Sequence, residues 1–201
     1  MNLVVSLIIF FAAVILHEYA HGWVANKLGD PTAKYAGRLT LNPIEHIDPF
    51  GTLLLPLMLI VLKSPVIFGW AKPVPVNFWN LKNPRRDMIW VGLAGPATNF
   101  LLAVVFSQLL KIPSPEIIRE FMASAVIINL VFAVFNLIPI PPLDGSRVIS
   151  GLLPYRYAAI YNEWERYGAM LIFLLLFLGL FNAVVWPVVG LLANLLGVSM
   201  L

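Results

Sequence analysis

Residues 2–25, NLVVSLIIFFAAVILHEYAHGWVA, form an apolar run broken only by His17, Glu18 and His21. A membrane-spanning helix needs about 20 mostly apolar residues, and this run supplies them. It carries neither the basic leader nor the small-residue cleavage site of a signal peptide, so it reads as a retained span. The remainder of the chain agrees. Of 201 residues, 60% are apolar and 11% charged, whereas a soluble domain has about 45–50% apolar and about 25% charged residues. Thirteen basic and ten acidic side chains cannot cover a soluble globule this apolar. Cysteine is absent, which excludes disulfides, thiolate metal sites, iron–sulfur clusters and thiol nucleophiles. The net charge is only +3 and the aromatic residues sit in apolar runs, so no nucleic acid partner is expected.

Outward from the first span, Thr52–Leu62 (TLLLPLMLIVL) is too short to cross comfortably and contains Pro56, and IFGWAKPVPVN (67–77) reads as extended chain. Together, residues 51–77 are expected to form a re-entrant hairpin, whose irregular backbone must be buried in protein at membrane depth. Met88–Leu110 and Phe121–Leu143 are further spans, the second ending where Pro139, Pro141 and Pro142 break a helix. Residues 168–200 are too long for one crossing and are expected to divide at Asn182 and Pro187. The fold class is therefore an all-α polytopic membrane protein of about four to six transmembrane segments. It is read as one domain, with a core at about 10–150.

Loops on the cytoplasmic side of membrane proteins are rich in Lys and Arg. Here Lys27, Lys34 and Arg38, then Lys72, Lys82, Arg85 and Arg86, then Arg147, Arg156 and Arg166 hold ten of the 13 basic residues. The loop at 111–120 holds Lys111 and Arg119, and Lys63 lies within the hairpin. This bias places the amino terminus outside and the three basic loops in the cytoplasm, provided that 51–77 re-enters. The expected setting is the cell membrane of a prokaryote.

A charged group within a span costs about 2.5–3.5 kcal/mol on insertion scales and points to function. In LHEYAHG, His17 and His21 lie four apart on one helix face and can chelate one ion, while Glu18 stands about 100° round the helix. This is the His-Glu-x-x-His arrangement of zinc hydrolases, in which the ion lowers the pKa of water to about 7 and glutamate takes its proton. A catalytic zinc usually has a third protein ligand. Spacing leaves Asp144, in PPLDGSR, and His46, in NPIEHIDPFG, as candidates, although an Asp-Gly pair after prolines is also ordinary turn chemistry.

HEYAH, LAGPATN (93–99) and FNLIPIPPLDG (135–145), in this order and each on a membrane segment, resemble the site-2 proteases, which are intramembrane zinc metalloproteases. NPIEHIDPFGT and GWAKPVPVN resemble the compact branch without a PDZ or CBS domain. The resemblance implies one zinc per chain on His17, His21 and Asp144, with Glu18 as general base. It also implies a substrate strand added alongside GWAKPVPVN, since a protease must unwind its helical substrate.

Other positions carry two readings each. Asn99 and Asn136 either glue helices together or contact substrate backbone and the developing oxyanion. Gly95-Pro96 permits close packing and a helix start. His46 and Asp48 belong to a capped surface loop or form a lid or accessory group near the metal. Trp70, Trp79 and Trp90 read as interfacial anchors, and Tyr155, Tyr157, Tyr161, Trp164 and Tyr167 as a helix lying on the headgroups.

The expected activity is a zinc endopeptidase cutting a peptide bond in or near the membrane segment of a single-span or signal-type substrate. A metal transporter or silent scaffold is the main rival, but needs no glutamate beside the histidines and would be expected to show inverted repeats. A third reading, a zinc protease with a downstream glutamate ligand, has only Glu116, Glu120, Glu163 and Glu165 to draw on.

Overall fold

The computed structural model describes residues 3–62 and 71–199. Its helices are α1 (Leu3–Leu28), α2 (Thr32–Tyr35), α3 (Leu55–Val61), α4 (Pro84–Leu109), α5 (Glu116–Asn136), α6 (Asp144–Leu152), α7 (Tyr155–Glu163), α8 (Glu165–Phe177) and α9 (Trp186–Leu195). No strand occurs among the described residues. Among the described residues, three helices, α1, α4 and α5, are long and apolar enough to cross a membrane. The α8–α9 pair, bent by 73°, makes a fourth segment if it counts as one span. The all-α polytopic class read from the sequence is the one observed, with three to four candidate spans among the described residues where four to six were expected.

The spans pack as a bundle on the middle of α4. Ala103, Val126, Leu130, Val185, Val189 and Ala193 form the main core between α4, α5 and the carboxy-terminal helices. Outward, Leu7, Ile8, Leu101, Val105 and Leu191 are exposed, as expected of helices whose outer faces meet lipid. With no polar stripe to present to water, such helices are apolar all round.

Helix ends depart from the sequence reading. α4 starts at Pro84, in the first-turn position that tolerates proline, where the Asp87 carboxylate accepts the Asn83 N–H at 2.8 Å. Pro96 lies inside this helix. Gly95-Pro96 thus marks close packing and not a helix start, because buried surroundings tolerate the one backbone hydrogen bond that proline removes. α5 ends at Asn136, before the prolines, and residues 137–143 are turns.

Residues 29–81 leave and return at the same end of the bundle, since the Lys82 N–H donates to the Leu28 carbonyl at 3.0 Å. The expected hairpin at 51–77 is described in its two limbs only. Its first limb is a π-helical turn (Pro49–Leu54) continued by α3, and its second limb, from Ala71 to Asn77, has no regular secondary structure. The tip, with Lys63 and Trp70, lies outside the described residues.

Candidate metal centre and general base

Three chain segments that are distant in sequence meet at one point. His17 and His21 sit one turn apart on α1, and their Nε2 atoms are 3.0 Å from each other. Asp144, the first residue of α6, brings Oδ2 to 3.0 Å from His17 Nε2 and 3.2 Å from His21 Nε2. Both rings are buried. Gly95 of α4 permits the approach: a Cβ there would collide with ring atoms of both histidines. α6 is held in turn by Arg85, whose guanidinium donates to the Gly151 and Leu152 carbonyls at 3.1 Å, satisfying a helix end with a cation. Arg147, three residues after Asp144, pairs with Glu165 of α8 and lies 5.5 Å over the Phe78 ring.

The far side of each ring determines what the near side offers. His17 Nδ1 donates to Asn99 Oδ1 at 2.6 Å and His21 Nδ1 to the Val91 carbonyl at 2.7 Å. Oxygens of this kind only accept, so the hydrogen is on Nδ1 in both rings, and a neutral imidazole then presents a bare lone pair at Nε2. Two imidazole lone pairs and a carboxylate oxygen therefore converge. One proton can bridge only one pair among the three, whereas a cation satisfies all of them. A tetrahedral zinc with donors about 2.0–2.1 Å away holds those donors about 3.3 Å apart, close to the spacing here. The residues fit the ion. Among the described residues, no other His, Asp or Glu joins the cluster at ligand distance.

Glu18 is half-buried and outside the triad. Its Oε2 accepts the Val74 N–H at 2.7 Å, which ties it to the limb at 71–77.

The chain matches peptidase family M50 over residues 5–114 and 111–180, a region that contains α1, α4 and Asp144. The chain belongs to peptidase family M50, the site-2 proteases. It is 42% identical over 199 residues to "Putative zinc metalloprotease YwhC" of Bacillus subtilis, covering 94% of this chain and 85% of that protein. Against "Putative zinc metalloprotease Rip2" of Mycobacterium tuberculosis the identity is 33% over 143 residues, covering 70% of this chain and 54% of the relative. Against "Zinc metalloprotease MJ0392" of Methanocaldococcus jannaschii it is 28% over 156 residues, 76% of this chain and 35% of the relative. No solved structure matches the chain.

Within this M50 site, the remaining candidates separate. Asn99 is fully buried. Its Nδ2 donates to the Ala13 carbonyl at 3.2 Å and to Asn129 Oδ1 at 2.9 Å. Both amide hydrogens are spent inside the bundle, so Asn99 serves the His17 ring and not a substrate. Asn129, which the sequence reading passed over, continues the relay by donating to the Ala125 carbonyl at 2.9 Å. An amide inside an apolar run was the available signal. Asn136 is half-buried and donates back to the Phe132 carbonyl of its own helix at 3.1 Å.

His46 is buried in its loop, with Nε2 donating to the Thr40 carbonyl at 2.9 Å and Nδ1 without a partner among the described residues. Asp48 caps the π-helical turn, accepting the Phe50 and Gly51 N–H groups at 3.0 and 2.6 Å. The M50 site thus gathers His17, His21, Asp144 and Asn99, with Glu18 alongside. It does not gather His46 or Asp48. Of the downstream glutamates, Glu116 pairs with Arg119 and Glu165 with Arg147, and neither joins the histidine cluster.

Proposed function

We propose that this site-2 protease is an intramembrane zinc endopeptidase, with one zinc per chain on His17, His21 and Asp144 and with Glu18 as general base. The convergence of three lone pairs inside a bundle of apolar helices carries this reading. When bound, zinc supplies Lewis acidity and a water made acidic enough to ionise near neutral pH. The chain's own groups do the rest. Asn99 and the Val91 carbonyl fix which ring nitrogen faces the ion, as second partners of metal-bound histidines do. Glu18 is anchored through Oε2, which leaves Oε1 to take the proton from the attacking water and return it to the leaving amine.

The substrate is a single-span or signal-type membrane protein cut in or near its membrane segment, as in regulated intramembrane proteolysis. The scissile bond must reach the depth of His17 and His21, which lie inside a span. Any strand added beside 72–77 meets an edge poor in donors: Pro73 and Pro75 have no N–H, and those of Lys72, Val74 and Asn77 are already bonded within the chain. Such a substrate would be held chiefly by its own N–H groups on carbonyls of this limb.

The deciding experiment is Glu18→Gln, assayed on a single-span reporter in detergent with zinc measured on the same sample. Zinc should stay stoichiometric while cleavage falls by about 10²–10⁴, the worth of general base catalysis. Wild-type turnover by zinc-loaded Glu18→Gln protein would refute the mechanism, and a transporter or scaffold predicts no cleavage to lose.

Loop charge further supports an orientation with the site toward the cytoplasm of a prokaryotic cell membrane. Cysteines introduced at Lys34 and Arg156 should label only from the cytoplasm and one at Pro115 only from outside, with no native thiol to compete. The reverse pattern would invert the topology.

A further inference from the structure

The limb from Lys72 to Asn77 is tied down at three places. The Lys72 N–H donates to the His46 carbonyl at 2.9 Å, and its own carbonyl accepts from Arg38 at 2.8 Å. In the middle, the Val74 N–H holds Glu18 while the Val74 side chain is buried over Gly22 of α1. At the far end, the Asn77 N–H donates to Asp30 Oδ2 at 2.7 Å. Between the anchors, Pro73 and Pro75 each fix φ near −65°, which makes the limb a stiff strap.

Asp30 has no exposed surface. Its carboxylate also accepts Asn80 Nδ2 at 3.0 Å, the Thr32 N–H at 3.1 Å and the Thr32 hydroxyl. With Asn77 these are four donors, three on Oδ1 and one on Oδ2. Burial works against its charge, but the donors from Thr32, Asn80 and Asn77 outweigh it and hold the Asp30 carboxyl below its ordinary range. Thus a charged group with four donors clamps residues 77–80 to the end of α1.

We infer that Asp30 is a positioning residue for peptide hydrolysis: by fixing Asn77 it holds the strap against α1 and keeps the Val74 N–H on Glu18. The inference rests on Glu18 being the general base. A glutamate with three free torsions reaches the attacking water in only some rotamers; one oxygen pinned by a fixed backbone donor restricts it to the productive ones. Misplacement of a reacting group by about 1 Å can cost about 10²-fold in rate.

The test uses the full-length protein and the single-span reporter. Asp30→Asn keeps the size but turns an acceptor into a donor facing Asn77. It should lower kcat about 10- to 100-fold while KM and zinc stoichiometry stay at wild-type values. In a Glu18→Asp background, whose shortened carboxylate no longer reaches Val74, Asp30→Asn should add less than about twofold. Pro75→Gly loosens the strap without touching a hydrogen bond, should reproduce the kcat loss, and keeps the inference testable if Asp30→Asn does not fold. Wild-type kcat in either variant, loss of zinc in Asp30→Asn, or an equal loss in both backgrounds would overturn the positioning role. If Glu18→Gln is inactive while Asp30→Asn is fully active, only this inference fails; if Glu18→Gln is active, the assignment of the base fails with it.

Discussion

Two regions of the molecule are rich in the side chains that metals favour, and they spend their lone pairs differently. At the meeting of α1, α4 and α6, the ring N–H groups of His17 and His21 are used up on Asn99 and Val91, and the free lone pairs turn toward Asp144. In the loop from Asn42 to Gly51, Asp48 gives its oxygen to backbone N–H groups, and His46 bonds the carbonyl of Thr40 six residues away. The first region leaves acceptors facing one another; the second uses polar groups to close its own turns. What separates a metal site from a capped loop here is where the unspent lone pairs point, not which residue types are present.

The contrast breaks most readily on the metal itself. His17→Ala and Asp144→Ala should each lose stoichiometric zinc and all measurable cleavage, whereas His46→Ala should keep both, with metal content read on the purified proteins. Zinc retained in the first two, or lost in the third, would exchange the roles of the two regions.

A smaller effect tests the support behind the ligands. Partners on the second nitrogen of a metal-bound histidine are worth about 10- to 100-fold in metal affinity. Asn99→Leu should weaken zinc binding by that amount, measured by competition with a chromophoric chelator. Asn129→Leu should weaken it less, because it leaves the His17–Asn99 bond in place and removes only one of the two acceptors on Asn99 Nδ2. A relay that mattered only for packing would lower stability in both and shift zinc affinity in neither.

The sequence exposes these parts unequally. His17, Glu18 and His21 are legible because an i, i+4 pair within one helix is fixed by local geometry, and hydropathy alone marks α1, α4 and α5 as spans. Asp144 needed the likeness to the site-2 proteases, since only tertiary packing carries it across 123 positions to His21. Asn129 looks like any intramembrane amide until the register of α5 against α4 is known. Asp30, between Gly29 and Pro31, reads as a turn residue, and its work depends on Asn77 and Asn80, about fifty residues further on. Helix ends were least legible: the apolar pattern runs past Asn136 to Leu143, although prolines end the hydrogen-bonded turns first.

The smallest expected effect concerns Asp48. A side-chain oxygen that caps a helical turn is worth about 1 kcal/mol, and in a chain of this length a loss of that size lowers Tm by about 2–4 °C. Asp48→Ala should show that shift in a thermal unfolding experiment, with zinc content and kcat unchanged. Asp48→Asn separates capping from charge. It keeps an oxygen to accept the Phe50 and Gly51 N–H groups, so it should recover most of the stability, whereas a role near the metal would depend on the negative charge and leave Asn as impaired as Ala. Equal loss of zinc in both variants would draw this loop into the metal centre and erase the difference between the two regions.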